Sequence, residues 1–457
     1  MPRFHQRLAI LGLLLVAVVA TGLGLLEHLT LPPPAAVAML ILVVAATLWI
    51  TEALPLFATS LLILFLCLTW LQPTLAKHGT EIDDATFTAP FFSDIILLFL
   101  GGFVLATAMR KFRLDEQMAR FVLRRSGASV PRLVAGIMAI TAFLSMWLSN
   151  TATAAMMLSL CLPIVDRLEP GDRSRRAILL AVPFAANIGG LGTPIGSPPN
   201  AIAMQYLARG GEAPSFARWM LAGLPLVAVL LALAWLLLTR LYRGQSELPD
   251  FDNAPINIKL TPPLMLVIAT VLITVFGWLT TGVHPFSAGT VGLLPVVVLF
   301  GARILSVRDL RRLSWDVLLM MGGGLCLGAA LSVSGLAAWL VAKLPVAGAS
   351  TVSLVLAFGV LACLMSSVMS NTATANLMLP IVVGLAVAGE APIMIAVAYA
   401  CSLAMPLPIS TPPNAIAFSS GELHAADIVQ PGVALTAIGL ALTLTVGLWW
   451  WRLTGLI

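Results

Sequence analysis

The sequence predicts an all-α polytopic membrane protein with about eleven transmembrane helices and two re-entrant hairpins, arranged as two inverted-topology repeats. Of its 457 residues, 60% are hydrophobic and 10% are charged, whereas soluble domains contain about 25% charged residues. A Ser-Asn-Thr motif interrupts an apolar run at Ser149 and again, 221 positions later, at Ser370. A Pro-Pro-Asn-Ala-Ile-Ala segment follows each copy, starting at Pro198 and at Pro412. The same polar pattern therefore occurs twice in a chain whose composition places it in a membrane.

Residues 1–93 are expected to form N-terminal scaffold helices. Their apolar runs, each long enough to cross a bilayer, lie at about 8–26, 35–51 and 57–72. No convincing cleavage site follows the first run, so we expect it to be retained as a span. Arg3 and Arg7 precede it, which predicts a cytoplasmic N-terminus under the positive-inside rule.

The first repeat core is predicted at 94–243 and begins with a span at about 94–110. The motif splits the apolar stretch 133–165 into two arms of about 14 to 16 residues, which as helices are roughly 21–24 Å long and short for crossing alone. Arginines flank this stretch on both sides, so we expect a hairpin that enters and leaves from the cytoplasm. The core is completed by a broken helix at 177–208, interrupted by glycines and prolines, and by a helix at 217–239.

The second half of the chain is predicted to repeat the first in the opposite orientation. The segment that begins at Asp316 resembles the one that begins at Asp94, but the positive-inside rule makes the two cross the membrane in opposite directions. This predicts inverted repeats and an external C-terminus. The predicted parts are a cytoplasmic linker at 244–262, scaffold helices at 263–315 with spans at 263–281 and 286–302, and a second repeat core at 316–457. That core holds a span at 316–336, a hairpin at 350–383, a broken helix at 391–420 and a last helix at 433–451.

The two interruptions in each half predict four helix N-termini near the middle of the membrane. Ser, Asn and Thr at the hairpin tips are preferred N-cap residues. Ser197 and Thr411 can cap the helices that start at Pro198 and Pro412, since proline is favoured at the first helical position. Each N-terminus presents unpaired N–H groups and about half an elementary positive charge. Four of them together suit an anion.

Cations are expected beside that anion. The apolar runs hold almost no Lys or Arg that could neutralise a dianion, and no Asp or Glu near the tips that could carry a proton. Hydroxyl, amide and carbonyl oxygens are hard ligands that suit Na⁺. Ser145 and Ser366 each lie one turn before the tip serine, on the side of Asn150 or Asn371. We therefore infer two Na⁺ sites, each next to half of an anion site.

The alternative is that these small polar residues only pack membrane helices together. A single Ser-Asn-Thr motif would favour that interpretation. Two copies at a constant offset, each followed by a matching break, favour a binding site.

The two motifs, the two breaks and the segment Trp49–Pro55 together resemble the divalent anion/Na⁺ symporter (DASS, or INDY-type) family of dicarboxylate transporters over essentially the whole chain. The resemblance implies an elevator-type homodimer. It also implies that the substrate is bound by Asn150, Thr151, Asn371 and Thr372, with Ser197, Pro198, Thr411 and Pro412 nearby. It implies one Na⁺ site with Ser145, Ser149, Asn150 and the carbonyl of Gly196, and a second with Ser366, Asn371 and the carbonyls of Met369 and Ser410.

We thus expect a secondary transporter of the cell membrane that imports C4-dicarboxylates such as succinate, malate or fumarate with two or more Na⁺. A dicarboxylate/2-oxoglutarate exchanger and a sulfate carrier are alternatives within this class, and an anion channel is the alternative outside it. The sequence contains neither HExxH nor GxSxG, so an intramembrane hydrolase is not favoured. The net charge is only +5 with no basic face for nucleic acid, and the five cysteines lack CxxC spacing. The expected partners are the small substrate, membrane lipid and a second copy of the chain.

Overall fold

The computed structural model describes residues 31–126, 129–210, 214–244, 259–343, 349–384 and 390–455. The regular secondary structure of these residues is entirely helical, and eight of their helices are long and apolar enough to cross a membrane. The predicted fold class, an all-α polytopic membrane protein, is confirmed. The predicted span at 8–26 and most of the predicted linker at 244–262 lie outside the described residues.

In chain order the helices are α1 (Pro33–Thr51), α2 (Leu56–Lys77), α3 (Asp94–Lys111), α4 (Leu114–Arg125), α5 (Val130–Ser145), α6 (Asn150–Val165), α7 (Ser174–Gly189), α8 (Pro198–Arg209), α9 (Phe216–Leu241), α10 (Pro262–Leu279), α11 (Ala288–Gly301), α12 (Trp315–Val333), α13 (Leu336–Lys343), α14 (Thr351–Val368), α15 (Asn371–Gly384), α16 (Glu390–Leu403), α17 (Pro412–Ser419) and α18 (Ala425–Leu453). Shorter helical turns lie at 85–92 and 307–311.

Both Ser-Asn-Thr motifs separate two helices. Ser149 caps α6, since its hydroxyl accepts a hydrogen bond from Ala152 N–H at 3.2 Å. Ser370 caps α15 in the same way, through Ala373 N–H at 3.2 Å. Helices α5 and α6 have 16 residues each, α14 has 18 and α15 has 14. Of these four arms only α14 is long enough to cross a membrane by itself.

The Gly- and Pro-rich segments separate α7 from α8 and α16 from α17. In the first, a 3₁₀ turn at Gly190–Gly192 ends α7, and the chain is extended at Ser197 before α8 begins. Thr411 caps α17 by accepting from Asn414 N–H at 3.3 Å. The expectation that Ser197 caps α8 is wrong, because no side-chain cap forms there and the hydroxyl is hydrogen-bonded to Ser402 instead.

Two close helix crossings use small residues, and each joins a helix of the first half to a helix of the second. A Cβ at Gly101 of α3 would overlap the backbone of Gly292 in α11, and a Cβ at Gly323 of α12 would overlap Ser60 in α2. Gly323 lies 222 positions after Gly101, the same offset as between the starts of the two segments. Small residues let membrane helices approach closely and pack firmly. The pairs α3–α11 and α12–α2 therefore form matching rigid contacts.

The second helix of each hairpin packs against the helix that follows the break of the other half. Helix α6 of the first hairpin packs against α17, which follows the second Gly/Pro-rich break. Helix α15 of the second hairpin packs against α8, which follows the first break. Each half thus supplies one side of the other half's tip, and the four N-termini begin within a single packed region.

Candidate functional site

The first cluster of buried oxygen atoms lies where the tip of the first hairpin meets the end of α7. Ser145 Oγ is 2.6 Å from Asn150 Oδ1 and 2.8 Å from the carbonyl oxygen of Ala186. Ser145 is fully buried, whereas Asn150 is partly exposed. The structure therefore joins two predicted Na⁺ ligands and adds a carbonyl oxygen from a third helix.

The second cluster repeats this arrangement at the second hairpin. Ser366 Oγ is 2.8 Å from Asn371 Oδ1 and 2.9 Å from the carbonyl oxygen of Cys401. Ser366 is also fully buried. The two halves thus build the same three-oxygen group from a hairpin serine, a tip asparagine and a carbonyl near the end of the helix before the break.

Each cluster has more acceptor oxygens than protons. A serine hydroxyl carries one proton and can donate fully to only one of its two neighbouring oxygens at a time. The carbonyl of Cys401 also lacks the partner expected in a helix, because Met405 N–H bonds Leu403 O at 2.9 Å instead. Oxygen lone pairs without a hydrogen-bond donor, grouped in this way, favour binding of a cation. Among the described residues no group of three or more His, Cys, Asp or Glu could hold a metal ion.

The carbonyl of Gly196 lies close to Asn150 of the first cluster. A Cβ at Gly190 would be 2.9 Å from Asn150 Nδ2 and 3.0 Å from Gly196 O. Asn150 and Gly196 therefore approach the same point, and the glycine at position 190 leaves the space for them.

The two carbonyls predicted for the second Na⁺ site are not joined to the second cluster by a hydrogen bond. Met369 has an extended backbone between α14 and α15, with φ −120° and ψ 172°. Ser410 is buried and donates its hydroxyl to Leu407 O at 2.8 Å. In the described part of the chain, neither residue is hydrogen-bonded to Ser366 or Asn371. The second site therefore matches the first in its serine, asparagine and helix-end carbonyl.

The predicted substrate residues at the tips differ in exposure. Thr151 is exposed and Thr372 is buried at 8% exposure. Neither hydroxyl makes a hydrogen bond to another described residue, so both can bond a ligand. Pro198 is partly exposed and Pro412 is exposed at the starts of α8 and α17. All four lie at helix N-termini, where the backbone favours negative charge.

Three buried side-chain hydrogen bonds hold the halves together next to the tips. Asn187 Nδ2 donates to Thr411 Oγ1 at 3.0 Å and to Asn414 Oδ1 at 3.3 Å. Ser197 and Ser402 form the reciprocal contact through their hydroxyls at 2.9 Å. All five residues are at most 2% exposed. Ser197 and Thr411 are thus held by the opposite half, and their position depends on it.

The asparagine of each Pro-Pro-Asn segment holds the unwound chain before it. Asn200 Nδ2 donates to the carbonyls of Gly190 and Thr193, each at 2.9 Å. Asn414 Nδ2 donates to two carbonyls at 3.0 and 3.2 Å. The Oδ1 atom of Asn200 is buried without a partner, although that of Asn414 has one. The amide of Asn187 reaches Asn414 from the opposite half, whereas the hydroxyl of Ser402 is bonded to Ser197.

A matched pair of threonine hydroxyls is also buried near the tips. Thr153 and Thr374 lie three residues after the tip asparagines, are fully buried, and have no hydrogen-bond partner at Oγ1. A buried hydroxyl without a partner costs about 1–3 kcal/mol. The two halves therefore share a buried threonine hydroxyl without a hydrogen-bond partner at the same position of the motif.

Sequence reasoning missed several of these residues: Thr153, Ala186, Asn187, Asn200, Thr374, Cys401, Ser402 and Asn414. The two threonines and the Pro-Pro-Asn asparagines lie inside the repeated motifs and could have been found there. Asn187 and Ser402 are isolated polar residues in apolar runs before each break, which is a weaker signal. Backbone carbonyls carry no signal in the residue type.

Comparisons with known proteins give a consistent family. The family model described as Citrate transporter (CitMHS) matches residues 46–392 and 345–455. The sodium-dependent dicarboxylate transporter SdcS of Staphylococcus saprophyticus is 34% identical over 442 residues, covering 88% of this chain and 83% of that protein. The SdcS protein of Staphylococcus aureus is 33% identical with the same coverage.

Two solved structures share the fold. The YdaH transporter of Alcanivorax borkumensis aligns with a TM-score of 0.56 at 15% identity, covering 85% of this chain and 98% of that one. MtrF of Neisseria gonorrhoeae, described with a class of antimetabolite efflux pumps, aligns with a TM-score of 0.57 at 11% identity, covering 92% and 95%. At these identities the likeness concerns the fold alone.

Proposed function

Because this chain belongs to the citrate transporter (CitMHS) family, we propose that it imports C4-dicarboxylates such as succinate, malate and fumarate in symport with Na⁺. It is a multi-pass membrane transporter and not an enzyme, and the resemblance to divalent anion/Na⁺ symporters is confirmed. The observation that carries the proposal is the pair of matching oxygen clusters at Ser145–Asn150 and Ser366–Asn371.

The clusters would each bind one Na⁺. In the first, the ligands are the oxygens of Ser145, Asn150 and Ala186 with the nearby carbonyl of Gly196, and Ser149 holds the start of α6 in place. In the second, Ser366, Asn371 and the carbonyl of Cys401 do the same, and the carbonyls of Met369 and Ser410 are proposed to complete the shell. The ion would be coordinated by the oxygen lone pairs to which the protein offers no hydrogen-bond donor.

The substrate would bind between the two ions. Its carboxylates would accept hydrogen bonds from Asn150, Thr151, Asn371 and Thr372, with Ser197, Pro198, Thr411 and Pro412 at the neighbouring N-termini. A bound Na⁺ beside each tip asparagine lowers the energy of the dianion, because the apolar surroundings provide little other positive charge. This gives a physical reason for coupling. The dianion binds poorly without the ions, and the two ions repel each other when no dianion lies between them.

Alternating access is proposed to follow an elevator-type motion in a homodimer, with a cytoplasmic N-terminus and an external C-terminus. The close crossings of α3 with α11 and of α12 with α2 favour a rigid frame built from these four helices. On this view α3 and α12 belong with the scaffold, and the moving cores are the hairpins, the broken helices and α9 and α18. That division is narrower than the predicted repeat cores at 94–243 and 316–457.

Uptake of labelled succinate into proteoliposomes tests the proposal. We expect uptake to require an inward Na⁺ gradient and to be inhibited by malate and fumarate more strongly than by citrate, 2-oxoglutarate or sulfate. Equal rates with Na⁺ and with K⁺ outside would refute the coupling. Stimulation by internal substrate without Na⁺ dependence would indicate an exchanger, and ion currents far above the rate of a carrier cycle would indicate a channel.

A further inference from the structure

An apolar cavity of about 470 Å³ lies between α3, α4 and α10 on one side and the first hairpin on the other. Met109 of α3 and Met118 of α4 line it, and so do Phe143 and Trp147 of the hairpin. Every lining side chain is apolar. The cavity therefore cannot hold a dicarboxylate or a metal ion, and it is separate from the oxygen clusters.

The shape of the cavity suits a hydrocarbon chain. Its wall on α10 extends from Ile268 to Trp278, ten residues, which is about 15 Å of helix. Its wall on α3 extends from Gly102 to Met109, about 10 Å. A cavity this elongated and this apolar, in a chain that lies in a bilayer, fits part of a lipid acyl chain.

The corner between α3 and α4, next to the lining residue Met109, is basic. It carries Arg110, Lys111 and Arg113. Lys111 is paired with Asp309 at 2.8 Å, which lowers the pKa of that carboxyl to about 2, and Arg113 is paired with Glu116 at 2.7 Å.

Arg110 is different from its neighbours. It donates to Thr107 Oγ1 at 3.2 Å, and over the ranges that the structure describes no carboxylate lies within ion-pair distance of it. The buried Asp115 acts on it only from further away. Arg110 is exposed and directly follows Met109, a lining residue of the cavity. An arginine beside an apolar cavity is complementary to a phosphate group with an attached chain.

We propose that this cavity binds an anionic phospholipid, with one acyl chain between α10 and the first hairpin and the phosphate at Arg110.

The lipid would contact the backbone that carries the first oxygen cluster. Trp147 lies two residues before the cap of α6, and Ile195, which also lines the cavity, directly precedes Gly196. An effect of the lipid on hairpin movement rests on the proposed transport function. Binding of the lipid does not rest on it.

Photolabelling of the full chain in proteoliposomes tests the site. The probes are phosphatidylglycerol and phosphatidylcholine that carry the same diazirine acyl chain, and labelled peptides are mapped by mass spectrometry. We expect phosphatidylglycerol to label α3, α5 and α10, and Arg110→Gln to weaken that labelling about fivefold, because one basic residue near the surface contributes roughly this factor. Arg452→Gln, which removes an exposed arginine at the end of α18, should have no effect.

A second variant fills the cavity. A Cβ at Gly102 would be 3.5 Å from Ile195 Cδ1, an ordinary contact, so Gly102→Leu can extend into the space without a backbone clash. It should abolish labelling of the cavity peptides. The matched control is Gly301→Leu, because a Cβ at Gly301 meets nothing within 4 Å. Val271→Phe fills the cavity from the opposite wall and replaces Gly102→Leu if that variant does not fold.

Equal labelling of the wild type and both cavity-filling variants, or equal labelling by the two probes, would overturn the proposal. Protein–protein cross-links through the cavity in place of lipid adducts, from a second copy or from residues 1–30, would also overturn it. Labelling that follows the prediction in a protein that transports nothing would support the lipid site and count against the proposed function alone.

Discussion

Removing the serine hydroxyl from either oxygen cluster should weaken Na⁺ coupling without unfolding the protein. Ser145→Ala removes the oxygen that lies 2.6 Å from Asn150 Oδ1 and 2.8 Å from Ala186 O. Ser366→Ala removes the equivalent oxygen of the second cluster. Both serines are fully buried, and alanine fits the same space with one atom fewer. The substitutions therefore change the number of ligands and little else.

The expected size of the effect follows from the loss of one polar contact to a charged ion. Such contacts contribute about 1.5–3 kcal/mol, which corresponds to roughly 10- to 150-fold in affinity. The Na⁺ concentration for half-maximal succinate uptake should rise by a factor in this range for each variant. At saturating Na⁺ the maximal rate should largely recover, because the proposed substrate contacts at Thr151 and Thr372 are untouched.

The control is the neighbouring serine of the same helix. Ser367 is buried at 9% exposure and donates its hydroxyl to Cys363 O at 2.8 Å within α14. Ser367→Ala should change half-maximal Na⁺ by less than about twofold, since no ion ligand is lost. Uptake is measured in proteoliposomes over a range of Na⁺, with size-exclusion profiles as the check on folding. Unchanged half-maximal Na⁺ in both cluster variants, or an equal change in the control, would show that the clusters do not bind the ions.

Three further predictions concern the tip asparagines, the buried threonines near them, and the ion pair of Lys111 with Asp309. Asn150→Ala and Asn371→Ala should each abolish uptake while folded protein stays in the membrane; uptake retained by both would make the tips structural. Thr153→Val and Thr374→Val should raise the melting temperature, because each removes a buried hydroxyl that has no hydrogen-bond partner. Burying such a hydroxyl costs about 1 kcal/mol or more. A lower melting temperature would show that the hydroxyls are bonded. The carboxyl pKa of Asp309 is lowered to about 2 by its lysine partner, so the pair stabilises the fold above about pH 4 and loses that effect as pH falls towards 2. Asp309→Asn should therefore cost at most about 1 kcal/mol, equally at pH 5 and pH 8 in thermal unfolding, and a cost that varies between these two values would contradict the assignment.

The positions of the helices were predictable because their signals are local. Apolar runs of spanning length and the N-cap residues at Ser149 and Ser370 fixed where the hairpin helices begin, and α6 and α15 start at the next residue. The pairing of Ser145 with Asn150 was predictable for the same reason, since a single turn of helix separates each serine from the tip.

Contacts that join distant segments could not be read in the same way. The carbonyls of Ala186 and Cys401 enter the clusters through the backbone, which has the same chemistry at every residue. The expected helix cap at Ser197 does not form, and its hydroxyl is bonded to Ser402 of the opposite half, a contact that the local sequence does not indicate. The apolar cavity depends on how α10 packs beside the hairpin, and no motif marks it.

The reciprocal bonds between the halves give a physical reason why the two proposed Na⁺ sites would act together. Asn187 directly follows Ala186, whose carbonyl enters the first cluster, and the amide of Asn187 donates to Thr411 of the second half. Ser402 directly follows Cys401, whose carbonyl enters the second cluster, and its hydroxyl holds Ser197 of the first half. On the proposed assignment of ligands, a shift of either helix end as an ion binds would therefore move an N-terminus on the other side of the proposed substrate site. Because those contacts are buried and closely packed, the first ion to bind would place part of the site for the second ion and for the dianion.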